Sequence, residues 1–367
     1  MLGSFLLRLL RACLRLANIG WVSSKQMIAD TLYSSYRIFK HLLGISGLRS
    51  NRLGGAAAHV VTYHGILQRP LSVPDWCFLD ARTFEAQIRF LARHFQLVHL
   101  EDLFSADVGE AEPAGRPRLA VTFDDGYANN HDVAFPILRK HGVQATIFLV
   151  SDLVDSDDTL WFCRLHDAVC KTHLKSVVHD GIEVDLRGPS ARAAGSALLQ
   201  SLLKALPPDA LRETCESLVA RLGSDWQSTV AADSPYRMLS TAQVRSMANS
   251  GLVRFGGHTA SHAILGLLDD QGVHKEIESC IQRTSAISGL PCRTFAYPNG
   301  RLGDFDARSV EVLQHLGIAI SVTTRSGANF PVDDRMYIRR HGIGDGESRF
   351  NLALRLARSE LFLNHGR

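Results

Sequence analysis

The chain has 367 residues, 46% hydrophobic and 21% charged, with a formal net charge of only +3, the balance of a soluble globular protein with one large domain plus additions, or two domains. Seven cysteines, an odd number with no Cys-x-x-Cys, exclude a disulfide framework and a thiolate zinc site and lean toward buried free thiols in a reducing compartment. No nucleic-acid partner is expected. The charge is uneven: residues 1–52 hold eight basic residues and one acidic residue, Asp30, so this segment is +7 and the remainder −4, which points the N-terminus toward an anionic surface.

Taken in chain order, Leu2, Phe5, Leu6, Leu9, Leu10, Cys13 and Leu14 recur with helical spacing, with Arg8, Arg11 and Arg15 on the opposite face. The arginines interrupt any apolar stretch long enough to span a bilayer or to serve as a signal core. Residues 1–55 therefore read as a basic amphipathic segment in a membrane interface, giving peripheral membrane association at the cytoplasmic face, with export to the cell envelope as the alternative. A helix packed on the chain's own barrel or on a second subunit, or a transit peptide, has similar composition. Leu53-Gly54-Gly55 reads as a linker. Strand His59–Tyr63, a helix capped by Thr83 and running to about His94, and strand 96–100 follow. Strand 119–123, a helix near 132–141 and strand 144–150 come next.

Residues 152–237 interrupt this alternation with a hairpin, Val177–His179 and Ile182–Val184 about the type I′ turn Asp180-Gly181, and two helical stretches meeting at Pro207-Pro208. The segment reads as an insertion beside a barrel mouth. Then come a helix capped by Ser240, strand 252–255 with the flexible Gly256-Gly257 after it, a helix at 270–288 and strand 293–297. A helix at 306–316, strand 317–323, a strand-like run Met336-Tyr337-Ile338 and an amphipathic helix within 347–364 complete the chain. Strand–helix alternation predicts an α/β fold with a parallel sheet, open or closed into a barrel over residues 56–345, followed by a C-terminal helical segment, 346–367.

Four polar sequences each sit just past an apolar strand, and in an α/β barrel those ends meet at one face. Asp124 and Asp125 end strand 119–123; two adjacent carboxylates resist joint ionisation unless a cation or hydrogen bonds compensate. His258 and His262, at i and i+4, can converge on one metal. Sixteen histidines make one such pair expected by chance, so its placement after a strand carries the reading. Tyr297-Pro298-Asn299-Gly300 is either an ordinary turn or a loop presenting backbone N–H groups to an oxyanion. His64 ends the first strand, where an imidazole can protonate a leaving amine; a solvent-facing loop histidine is the plainer reading.

Thr122-Phe123-Asp124-Asp125-Gly126 with His258-Thr259-Ala260-Ser261-His262 resembles the polysaccharide deacetylases of carbohydrate esterase family 4, the NodB homology domain, over most of residues 56–345. The likeness extends to a subgroup with a Phe-Ala-Tyr-Pro-x-Gly third motif, in which the barrel order is permuted and the acid histidine comes early. The resemblance implies a distorted (β/α)7 barrel and metal-dependent hydrolysis of an N-acetyl group on an amino sugar. It implies Asp125, His258 and His262 as ligands of a divalent metal, zinc first and cobalt or nickel as alternatives. Asp124 would be the general base and His64 the general acid, with the turn at Tyr297-Pro298-Asn299 lining the oxyanion site. Ala296 and Asn299 replace the arginine and tyrosine of the usual third motif, so the base lacks its usual orienting arginine; Arg339 or Arg340 is the expected substitute. His341 competes as the acid. Three functions follow: deacetylation of an acetylated amino-sugar polysaccharide or precursor, deacetylation or deformylation of a lipid-linked amino sugar at a membrane, or glycan binding by a barrel that has lost activity.

Overall fold

The structure, a computed structural model, describes Tyr33 and residues 57–105 and 116–361; the expected N-terminal amphipathic helix and the 53–55 linker lie outside the described residues. Eight strands form the main sheet: β1 (His59–Tyr63), β2 (Gln96–Leu97), β3 (Arg118–Phe123), β4 (Ala145–Leu149), β5 (Val253–Gly257), β6 (Thr294–Ala296), β7 (Ile320–Val322) and β8 (His341–Gly342). Their order is β7-β6-β5-β4-β3-β1-β8, with β2 paired to the start of β3, and every pairing is parallel. The two edges approach each other through one residue. Ile338 exchanges backbone hydrogen bonds with Ser321 and Thr323 beside β7, at 3.1 and 2.8 Å, and three residues later His341 pairs with Val61 of β1. The sheet is thereby curled into a distorted α/β barrel.

The strands read as unbroken apolar runs because both faces are covered. Val61 and Tyr63, Leu119, Val121 and Phe123, and Ala145, Ile147 and Leu149 pack outward against helix α1 (Ala81–His94) and its neighbours. Val60, Ala120, Phe148, Ala296, Ile320 and Val322 pack inward, around Ile338. Each fully buried Val, Leu, Ile or Phe is worth about 1.5–3 kcal/mol, so register is tightly held. A slip of one residue would turn Thr62 and Thr122 outward, and both accept from the buried Arg340. The C-terminal helix (Arg349–Leu361) packs on α1. Tyr33, the one described residue of the first 56, is buried against Phe90, His94 and Phe95.

The insertion carries its own apolar cluster. A helix at Trp161–Lys171, an antiparallel hairpin (Ser176–His179 with Ile182–Asp185) and helices at Pro189–Leu203 and Pro208–Arg221 meet around Leu165, Val169, Val184, Leu199, Leu203 and Leu218. The hairpin turn has Asp180 and Gly181 both at positive φ, 49° and 74°, as a type I′ turn requires.

Several expectations are corrected. Helix α1 is capped by Asp80, not Thr83: the Asp80 carboxylate accepts from the Arg82 and Thr83 N–H groups. The 96–100 strand is two residues long and gives way to a 3-10 turn at Leu100–Asp102. The expected 132–141 helix opens with a π-helical turn, Asn130–Ala134, before becoming α at Phe135. Met336-Tyr337-Ile338 is not a strand; Asp334 caps the Met336 N–H and starts a 3-10 turn at Arg335–Tyr337. The last strand is instead His341–Gly342. Gly256 and Gly257 are not a flexible hinge but buried residues within β5.

Candidate active site

The C-terminal ends of β1, β3, β5 and β6 deliver His64, Asp124 and Asp125, His258 and the Tyr297–Gly300 turn to one end of the barrel. Asp124 and Asp125, adjacent in sequence, face different partners. Arg340 enters from the strand end beside β1, fully buried, and donates to both Asp124 oxygens at 2.6 and 2.8 Å. Its remaining donors reach Thr323 O at 2.9 Å and the hydroxyls of Thr62 and Thr122 at 3.0 and 3.4 Å. Burial, the largest single influence, works against ionisation of Asp124, but the charge and hydrogen bonds of Arg340 together with the nearby imidazoles outweigh it and hold the carboxyl well below the usual range. Asp124 is thus an ionised carboxylate with a fixed orientation. Arg339, the other candidate, turns the opposite way, to Asp333 and Ala328 O.

Asp125 Oδ1 lies 3.5 Å from His258 Nε2 and 3.6 Å from His262 Nε2. All three donor atoms fall within 4.8 Å of one another. Donors of a tetrahedral ion at bonds of ~2.0–2.1 Å stand about 3.3–3.4 Å apart, so the cluster has the dimensions of a metal site. Three further observations fit a cation. The buried Asp125 Oδ2 finds no hydrogen-bond partner. Burial, then the neighbouring Asp124 charge, push the Asp125 carboxyl up to about 8. Burial lowers both histidines, leaving neutral imidazoles, the form that ligates. His258 donates its Nδ1–H to Ala296 O at 2.6 Å, which turns Nε2 toward Asp125. Asp125, Thr259, His262 and Asn299 all hold positive φ, 58–76°, conformations rare for residues with a side chain and often retained where function requires them.

His64 stands across the site with its ring edge-on to Trp76, 4.9 Å between centroids. Its Nδ1 has no hydrogen-bond partner. Burial lowers its pKa to about 4, with Asp124 opposing the shift. The third motif is narrower than expected. Tyr297 turns away, stacking on Phe305 and donating to Met336 O, and its N–H is taken by Val322 O. Pro298 has no N–H, and that of Gly300 goes to Pro298 O. Among the described residues only the Asn299 N–H of this turn lacks a partner. His341 is not brought to the site. It is fully buried with its ring 5.7 Å from that of His59 and its Nδ1 3.3 Å from Ser326 Oγ.

Sequence reasoning missed the cleft walls. Lys204 and Phe162, both from the insertion, and Trp76 flank the histidines: the Phe162 ring lies 5.5 Å from His262, and the Lys204 ammonium lies 5.9 Å from the Trp76 ring. No local pattern marks them, because the path of the insertion brings them there. Thr62 and Thr122 were legible only as polar residues at inward positions of apolar strands.

The curled parallel barrel thus sets a buried two-histidine, one-carboxylate cluster, a donor set that could hold a metal ion, beside an arginine-held carboxylate. Comparison with known proteins gives the family. The polysaccharide deacetylase family model matches residues 111–200 and 219–321, and the chain belongs to that family. His64 and Arg340 lie outside the matched segments. YxkH of Bacillus subtilis (strain 168), a provisionally named polysaccharide deacetylase, is 31% identical over 93 residues, which are 25% of this chain and 31% of that protein; the chain thus spans under a third of this curated relative. Among solved structures, the fold is similar to Streptococcus pyogenes deacetylase PplD in complex with acetate, with TM-score 0.54, 16% identity, and coverage of 82% of this chain and 98% of that one. IcaB from Ammonifex degensii aligns with TM-score 0.51, 18% identity, and coverage of 82% and 97%.

Proposed function

We propose that the protein is a metal-dependent hydrolase that removes N-acetyl groups from an amino-sugar polysaccharide or its precursor. The observation that carries this reading is the buried Asp125–His258–His262 cluster beside an Asp124 carboxylate held ionised by Arg340. Asp125, His258 and His262 would hold a divalent cation, zinc by preference for two imidazoles and a carboxylate and cobalt or nickel by the same donors, which when bound would supply polarisation of an amide carbonyl and a lowered water pKa. Asp124, ionised and fixed by two hydrogen bonds, takes the proton of the attacking water. The Asn299 N–H donates to the developing oxyanion.

His64 delivers a proton to the departing amine, which otherwise leaves poorly. In the ligand-free cleft burial keeps this imidazole neutral, with Asp124 opposing. Negative charge developing on the attacked group adds to the Asp124 effect and raises the proton affinity of His64, which takes up a proton from solvent and passes it to the departing amine. The acetate named with the Streptococcus pyogenes structure is the product this reading expects.

The test is acetate release from acetylated amino-sugar oligosaccharides, with and without chelator, alongside metal analysis. Chelator-sensitive release and one divalent ion per chain, lost on His258→Ala, are expected. Chelator-insensitive release removes the metal mechanism. A metal-free, inactive protein that still binds glycan favours the reading of a barrel without activity. The basic segment 1–52 supports peripheral membrane contact. Deleting it should weaken partitioning onto anionic vesicles at low salt, and unchanged partitioning rejects that contact. Among the described residues no helix is long and apolar enough to cross a membrane.

A further inference from the structure

Lys204 follows the insertion helix Pro189–Leu203 as its C-terminal cap. A lysine there ordinarily reaches into water and complements the helix dipole. This one lies folded over the cleft. Its ammonium stands 5.9 Å from the centroid of Trp76 and 6.0 Å from that of Phe162. Those rings in turn meet the two sides of the site: Trp76 is edge-on to His64, and Phe162 edge-on to His262. The ammonium is thus bracketed above the metal cluster. It makes no ion pair and no side-chain hydrogen bond to any described residue. Trp76 keeps 49% of its surface exposed, an apolar platform on which a sugar ring can lie.

Counting charge at this end of the barrel shows what is missing. Asp124 is neutralised by Arg340. Lys204 has no such carboxylate partner among the described residues; only the two aromatic rings hold it. The cleft therefore presents an unpaired ammonium that a neutral acetamido sugar cannot balance, and low-dielectric walls strengthen its attraction for an anion. Taking the deacetylase reading above as its basis, we propose that Lys204 makes the cleft selective for amino sugars bearing an anionic substituent, phosphoryl or carboxylate, close to the acetamido group. A compact ammonium with three rotatable donors suits either group, and the aromatic bracket keeps it from being screened by water.

The experiment compares N-acetylglucosamine, N-acetylglucosamine 1-phosphate and N-acetylmuramic acid on the full chain. Binding is measured by calorimetry with and without chelator, and kcat/KM is measured by acetate release. A hydrogen bond to a charged group predicts that the anionic sugars bind roughly tenfold to hundredfold tighter than the neutral one, with added salt narrowing the gap. Lys204→Met should collapse that ratio in both binding and kcat/KM. Lys204→Arg should keep it, and so should Lys175→Met, which removes the same charge from an exposed position of the insertion. A preference for only one of the two anionic sugars supports the inference and names the substituent. Equal binding of all three sugars, or a preference that survives Lys204→Met, overturns it. If the Lys204-dependent preference holds but neither these sugars nor acetylated amino-sugar oligosaccharides release acetate, the anion site stands and the deacetylase reading falls.

Discussion

Asp124 gives both carboxylate oxygens to Arg340, whereas Asp125, one residue on, has two neutral imidazoles within 3.6 Å and an oxygen with no partner. The proposed roles rest on this difference in partners: Arg340 holds one carboxylate ionised, and the other would become fully ionised only against a cation. Arg340→Met should therefore do more than loosen a contact. It leaves a buried carboxylate uncompensated, which costs about 3–5 kcal/mol of stability. It also raises the Asp124 pKa, so the acid limb of kcat/KM against pH moves upward; an unmoved limb would remove Arg340 from the mechanism. Arg340→Lys restores charge but not the two-pronged geometry and should recover only part of the rate. The acid is tested by pairing two variants. His64→Ala should lower kcat by roughly 10²–10⁴, while His341→Ala, whose ring lies among His59 and Ser326, should cost stability and leave kcat near wild type. The reverse pattern, read from initial rates and thermal melts of both variants, would reassign the acid to His341.

The position of His258 depends on how closely β5 is packed. A Cβ placed on Gly256 would lie 2.5 Å from Thr294 Oγ1 and 2.6 Å from the Phe148 ring, so the strand must shift to admit one, and His258 shifts with it. Gly256→Ala should cost about 1–3 kcal/mol by overpacking and reduce bound metal per chain. Unchanged metal content together with an unchanged Tm would show that the strand has slack. In the sequence this glycine pair looks like a hinge, since close approach of a neighbouring strand leaves no local trace. Other elements were legible for identifiable reasons. Residues 59–63 and 119–123 read as strands because burial on both faces demands unbroken apolar runs, and Ser240 read as a cap because its capping box with Gln243 is a local device. Residues 336–338 misled because apolar, β-forming side chains are also what a buried 3-10 turn needs once Asp334 caps it. Arg339 and Arg340 were indistinguishable because strand parity decides which points inward, and parity depends on a two-residue strand, His341–Gly342, with no pattern of its own. Lys204 was invisible because only the path of the insertion carries it to the cleft.

At the scale of the whole molecule, the proposed metal site would couple folding, metal and pH. Asp125 has an ordinary carboxyl value of 3.8 when unfolded and is pushed up to about 8 in the folded, metal-free chain. A raised carboxyl pKa means that the folded state holds the extra proton across that window, so its contribution to stability is full below pH 4 and declines as pH rises toward 8. His258 and His262 are lowered instead, so they act below their ordinary value of 6.5, where the unfolded chain gains their protons. Between pH 6.5 and 8 the histidines are largely neutral in both states, and Asp125 sets the slope at this site: the metal-free protein should lose stability as pH rises. A bound ion replaces the Asp125 proton, so its affinity rises by up to about tenfold per pH unit below 8, and its stabilisation of the fold rises with it. Thermal melts at pH 6.5 and 8, with chelator and with excess zinc, should therefore show a zinc-induced gain in Tm that is larger at pH 8. Asp125→Asn should abolish both the chelated protein's decline and most of the zinc gain, because a neutral amide neither exchanges a proton nor supplies the anionic ligand. A zinc gain that is equal at the two pH values and persists in Asp125→Asn would mean that the ion binds elsewhere, and the assignment of this carboxylate as a ligand would have to be abandoned.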